Sequence, residues 1–170
     1  MTATKFSVYA DGSSGGNSHG AIGWGWVVLM DDRVLCAGSG GAPVGTNNIA
    51  ELMGAREGLR ALLGHPEFEA MKGKVYSIEL VSDSQYVLGL ANGAFSATKN
   101  VALANHVRQI CAQAIVSTRW VRGHDGHPIN EMCDKLAKAG KYQYGGVQKK
   151  TNRGARRKAR RAIDTKLKGA

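Results

Sequence analysis

Cysteine and proline are scarce in this 170-residue chain, three of each, and Cys36, Cys111 and Cys133 sit far apart without a C-x-x-C pair. An odd count without metal-ligand spacing reads as buried, reduced thiols in a cytoplasm. No apolar run approaches the roughly 18 residues that a membrane span needs. The segment Met1 to Asp11, with one lysine, has no apolar core of the kind an export signal carries. The Gly-rich stretch from Gly12 to Gly20 contains no lysine and no G-x-x-x-x-G-K-[ST] pattern, which argues against nucleoside-triphosphate binding. Acids are few as well, 13 against 23 basic side chains.

What is present suits one folded domain with an appendage. The chain is 43% hydrophobic and 21% charged, ordinary for a globule. The net charge of +10 is not spread evenly. Residues 149–170 hold ten basic side chains against the single acid Asp164, leaving thirteen basic and twelve acidic side chains in the rest. The expected division is a catalytic domain over 1–146 and a basic tail over 147–170.

Alternation at Phe6, Val8 and Ala10 predicts a first strand ending at Asp11. Gly12–Gly20 reads as a loop, and Ile22, Trp24, Trp26 and Val28 as a second strand. After a turn at Asp31-Asp32, Val34–Ala37 opens a third strand, and Gly38–Gly45 reads as loop. Thr46, Asn47 and Asn48 offer caps for a helix carrying Ile49, Leu52, Met53, Leu59 and Leu62. A strand over Tyr76–Val81 is followed by a short helix capped by Ser82 or Asp83. A helix over Val101–Ala114, a strand over Ile115–Val121 and a helix over Ile129–Tyr142 complete the pattern. Helical connections between the later strands imply parallel pairing added to an antiparallel meander, hence an α/β fold with a mixed sheet. Trp24 and Trp26 share one strand face and are expected to pack there.

Four acids stand out in this layout. Asp11 and Asp83 end strands expected to be neighbours, where ligands gather on α/β sheets. Glu51 falls in the first turn of a helix, and Asp134 in the opening half of the last one. Each alone is an unremarkable turn, cap or helix-face residue. Clustered, they repel one another unless a cation joins them, and hard oxygen ligands select Mg²⁺ or Mn²⁺ over zinc. Two such ions would clamp the attacking water and leaving oxygen of a phosphodiester. His124, between Gly123 and Asp125-Gly126, suits a mobile proton carrier. His127, before Pro128 at a helix start, suits a structural role.

The segments Tyr9-Ala10-Asp11-Gly12-Ser13, Thr46 to Met53, Ser82 to Val87 and Trp120 to Asp134 occur in this order over residues 5–143. Together they resemble type 1 ribonuclease H. The resemblance implies the ribonuclease H-like fold, a five-stranded mixed sheet flanked by helices in the order βββαβαβα. It implies that Asp11, Glu51, Asp83 and Asp134 bind two Mg²⁺ ions while His124 assists proton movement. The implied partner is an RNA–DNA hybrid, whose RNA strand is cut to leave 5′-phosphate and 3′-hydroxyl ends. Gly12 falls in the first matching segment and joins the expected substrate contacts. Asn17, Asn47, Asn48 and Gln85 match positions that read the hybrid's minor groove, where amides suit 2′-hydroxyls. Thr46 and Asn100 match a pocket for a phosphate of the DNA strand.

The sequence departs from the family in two places. Val44 stands where many relatives carry arginine, which weakens or rebuilds that phosphate pocket. The lysine- and tryptophan-rich handle of many bacterial relatives is missing, since Ala91–Thr98 is short and uncharged and only Lys99 follows. The tail is therefore expected to take over the handle's work, with Arg156, Arg157, Lys158, Arg160 and Arg161 meeting phosphates in a helix formed on contact. A monomer is expected. Two other readings remain: a resolvase- or integrase-type nuclease on the same fold, and an inactive hybrid-binding module. The Thr46-Asn47-Asn48 segment and the Gly-His-Asp-Gly-His loop argue against the first, and the presence of all four acids against the second.

Overall fold

In the computed structural model, residues 3–16 and 20–145 are described. Strand β1 (Thr4–Ser14) turns Phe6, Val8 and Ala10 to one face and Tyr9 to the other. Both faces are buried, as a central strand requires. It pairs antiparallel with β2 (Gly20–Met30), which pairs antiparallel with β3 (Arg33–Gly45). On its other side β1 runs parallel to β4 (Tyr76–Ser82), and β4 runs parallel to β5 (Val116–Trp120). The result is the expected five-stranded mixed sheet, ordered β3-β2-β1-β4-β5.

Helix α1 (Asn47–Leu63) covers the Phe6 face with Leu52, Ala55, Leu59 and Leu62. Helices α3 (Gln85–Ala91) and α4 (Val101–Gln113) extend that layer with Val87, Leu90, Val107 and Cys111. Each large aliphatic side chain removed from water here contributes about 1.5–3 kcal/mol. Helix α5 (Pro128–Gly145) supplies Cys133 and Leu136 to the opposite face, against Tyr9, Val27, Val81 and Val121. Burial pushes the Cys111 thiol up to about 12 and raises Cys133 further, and all three cysteines are unpaired. Among the described residues, no helix is long and apolar enough to cross a membrane.

Several boundaries differ from the sequence expectation. Strand β1 runs past Asp11 to Ser14, because Ser13 and Ser14 pair with Gly23 and Ile22. The Gly38–Gly45 stretch is not a loop but the second half of β3, paired to β2 up to Ala42 and again, past an irregularity, at Gly45. Glycine is what permits it: a Cβ on Gly38 or Gly40 would lie 2.4 or 2.6 Å from the ring atoms of Trp26 or Trp24. The two indoles thus occupy the space that side chains of β3 would fill. A one-turn helix, α2 (Pro66–Glu69), stands between α1 and β4; His65 Nδ1 accepts from Glu67 N, and Pro66 needs no donor at that position. The cap of α3 is Ser84 rather than Ser82 or Asp83: its hydroxyl accepts from Val87 N at 3.3 Å. Ile115 lies outside β5, with φ +53°.

Candidate active site

The site forms where β1 and β4 end side by side. Their parallel register pairs Tyr9 with Val81, so two residues further on the chain brings Asp83 level with Asp11. Asp11 is buried, and its Oδ1 accepts from Gly12 N at 2.7 Å. Beyond Asp83 the backbone is pinned twice. Ser84 N donates to Ser82 Oγ at 3.1 Å, and the Trp120 indole N–H donates to the Asp83 carbonyl at 3.0 Å. Glu51 sits in the second turn of α1 rather than the first, with Asn47 Nδ2 donating to its Oε1 at 2.8 Å. Helix α1 crosses this strand end at close range, since a Cβ on Gly12 would come within 2.4 Å of Glu51 N.

Asp11, Glu51 and Asp83 each offer a carboxylate oxygen, all within 4.8 Å of one another. Burial first, then the neighbouring Asp83, raises the Asp11 carboxyl from 3.8 to about 7, against the hydrogen bond from Gly12. Burial likewise raises Glu51, opposed by hydrogen bonds from Ser84 and Asn47. Such crowding is what a divalent cation relieves, and a donor set made only of carboxylates fits a hard cation rather than zinc.

Asp134 is set apart from this triad. It lies on the same open cleft, where Lys138, one helical turn on in α5, holds its Oδ2 at 2.6 Å. The four acids therefore form a group of three and a separate, ion-paired fourth. His124 also lines the cleft, exposed, with φ +56°. Of the expected substrate contacts, Gly12 and Asn47 line the cleft. Thr46 caps α1 through its hydroxyl, and Asn48 and Gln85 are exposed at the starts of α1 and α3. Asn100 takes the cap position of α4 at φ +55° without a capping bond from its side chain. Val44 is exposed at the end of β3. Asn17 and the tail residues Arg156, Arg157, Lys158, Arg160 and Arg161 lie outside the described residues.

Sequence reasoning missed Lys138, Ser13, Ser14 and the Trp120 indole. Lys138 carried a signal, its position four residues after Asp134 on a helix. The others depend on pairing partners distant in sequence. Between α3 and α4, Asn92 Nδ2 donates to Thr118 Oγ1 of β5 and Phe95 N donates to Gly89 O.

The model of the RNase H family matches residues 3–142. The chain is 36% identical over 151 residues to a ribonuclease H of Lachnoclostridium phytofermentans, covering 78% of this chain and 89% of that one. It is similarly 36% identical over 151 residues to ribonuclease HI of Caulobacter vibrioides, covering 80% and 92%. Among solved structures it is similar in fold to LC11-RNase H1 in complex with an RNA/DNA hybrid, with a TM-score of 0.67 and 18% identity over 81% of this chain and 97% of that one.

Proposed function

The chain belongs to the RNase H family, and we propose that this ribonuclease H hydrolyses the RNA strand of RNA–DNA hybrids with two Mg²⁺ ions, leaving 5′-phosphate and 3′-hydroxyl ends. The observation that carries the reading is the triad of carboxylate oxygens within 4.8 Å, where two parallel strands end beside α1, in one cleft with His124 and Asp134. Crystallisation of LC11-RNase H1 with an RNA/DNA hybrid supports the choice of substrate.

Asp11, Glu51 and Asp83 would hold the ions, with Asp134 joining once it leaves Lys138. When bound, the ions supply the positive charge that activates a water and stabilises the departing 3′-oxygen. The chain's own groups prepare that chemistry. Gly12 N fixes one oxygen of Asp11 and Asn47 fixes one of Glu51, so two ligands are oriented before substrate arrives. Lys138 balances Asp134 until the cleft fills. His124, on a glycine-flanked loop at the mouth, carries the proton between cleft and solvent. Asn47, Asn48 and Gln85, placed on two helix starts beside the acids, would read the 2′-hydroxyls that distinguish RNA from DNA.

The same reading assigns residues 1–146 to catalysis and 147–170 to gripping the substrate backbone. The deciding assay presents hybrid, duplex DNA and a four-way junction side by side with Mg²⁺. Cleavage confined to the RNA strand of the hybrid, abolished by Asp11→Asn while hybrid binding persists, is the expected result. Cleavage of the junction instead would overturn it.

A further inference from the structure

Tyr9 is buried two residues before Asp11 on the same face of β1, and its hydroxyl has a partner of unusual reach. Arg119, on the edge strand β5, donates from Nη2 to Tyr9 Oη at 3.0 Å, with its Cζ 5.8 Å from the ring centroid. The Arg119 Nε in turn meets Glu79 Oε2 at 3.1 Å, and Lys5 Nζ meets the same oxygen at 2.9 Å. Burial works to raise the Glu79 carboxyl, and the paired cations of Lys5 and Arg119 overcome it, holding it below its usual range. The charged chain thus stays ionised. It bridges β1, β4 and β5 on the α5 side of the sheet.

The other end of this chain meets the loop that carries His124. The His127 ring lies 5.3 Å from the Tyr9 ring, tilted by 37°. Buried His127 Nδ1 has no hydrogen-bond partner among the described residues. Its ring is therefore held by packing on Tyr9 rather than by a bond at that nitrogen. His127 is also the residue from which α5 starts, its carbonyl accepting from Glu131 N at 3.0 Å. Three residues before it stands His124, and seven after it Asp134.

We propose that Tyr9, fixed by Arg119 and Glu79, is a positioning residue that sets the His127 ring and so places the His124 loop and the start of α5 over the cleft. The proposal rests on the ribonuclease reading for its kinetic consequence, and on contacts alone for its structural one. A ring free to tilt lets the loop drift, and a displacement of order 1 Å at a reacting group costs up to about a hundredfold in rate.

The test uses the full chain with Arg119→Met, Arg119→Lys, Tyr9→Leu, Tyr9→Phe and the double variant Tyr9→Phe/Arg119→Met. Steady-state cleavage of hybrid should show kcat falling about tenfold in Arg119→Met and Tyr9→Leu with KM within about twofold of wild type. Arg119→Lys should recover most of the loss, and the double variant should be no slower than Arg119→Met alone. Without metal or substrate, the ring-proton resonances of His124 and His127 should move in Arg119→Met and Tyr9→Leu while those of His65 and His106 stay. If Tyr9→Leu is too unstable to study, Tyr9→Phe and Arg119→Met carry the same comparison. Unmoved His124 resonances, or an unchanged kcat in folded variants, would overturn the proposal. A wild-type protein inactive on hybrid would instead remove the ribonuclease reading and leave the resonances to decide the positioning role.

Discussion

The indole N–H of Trp120 and the carbonyl of Asp83, 3.0 Å apart, join the edge strand to the residue that brings a carboxylate into the cleft. Three residues after Trp120, the chain passes directly over that carboxylate. A Cβ on Gly123 would lie 2.6 Å from Asp83 Oδ2, inside any real contact distance. The position admits no side chain without moving the acid.

Gly123→Ala should therefore reduce kcat by about a hundredfold through displacement of Asp83. Its cost in stability should stay under about 1 kcal/mol, because the loop is exposed on both sides of the glycine. Paired kinetics and thermal melts check this. A variant with full activity would show that the Asp83 position is not critical.

The burial of Asp11 makes metal-free stability depend on pH. Folded, its carboxyl is raised from 3.8 to about 7, so across that window the folded state holds a proton that the unfolded chain has released. Stability of the metal-free protein then falls as pH rises from about 4 to 7 and stays low above. Asp11→Asn removes the penalty while keeping an oxygen for Gly12 N. At pH 8 in chelator it should be more stable than wild type by roughly 2–4 kcal/mol, and near pH 4 equal to it. Adding Mg²⁺ should raise the melting temperature of wild type and not of the variant. A variant less stable than wild type at pH 8 in chelator would contradict the assigned burial penalty.

Much of this was legible before any coordinates. The period-two pattern of Phe6, Val8 and Ala10 and the parallel topology were enough to place Asp11 beside Asp83, because both are consequences of local chain geometry. Glu51 was placed by the cap at Thr46 and the helix that follows. The separation of Asp134 was not legible, since it rests on the packing of α5 and on the ion pair with Lys138. Nor was the second half of β3, where a glycine run has the composition of a loop but pairs along β2, its glycines leaving room for two tryptophans. Ser84 as the cap of α3 escaped for a simpler reason: three adjacent candidates, Ser82, Asp83 and Ser84, have equal chemical claim, and the bend after β4 decides among them.

Ile115 offers a test remote from the chemistry. It follows α4 with φ +53°, a left-handed conformation costly for a β-branched residue, and 87% of its surface is exposed. Nothing in its burial repays that strain. Glycine is the usual residue just past a helix end in this conformation. Ile115→Gly should stabilise the protein by about 1 kcal/mol, a rise of roughly 2–4 °C in the melting temperature. Activity should be unchanged, because the turn lies at the end of β5 opposite Trp120. Destabilisation would show that the isoleucine makes a contact worth more than its strain.

A polyanion is held by positive charge, and much of that of the folded body is already paired. In the folded body, Lys5 and Arg119 meet Glu79, Arg33 meets Glu67, Arg56 meets Glu57, Lys72 meets Glu69 and Lys138 meets Asp134. With thirteen basic against twelve acidic side chains before residue 149, the body presents little net attraction for a phosphate backbone. The ten basic residues of 149–170 are the proposed source of that attraction. If about five of them meet phosphates, affinity should fall with salt at a log–log slope of about −4. Deleting residues 149–170 should then raise KM for hybrid about tenfold or more at low salt and flatten that slope towards zero. The turnover number should stay as it was, since the deletion leaves the triad untouched. Kinetics measured across a salt series decide it: identical slopes with and without the tail would assign the phosphate contacts to cations of the folded body instead.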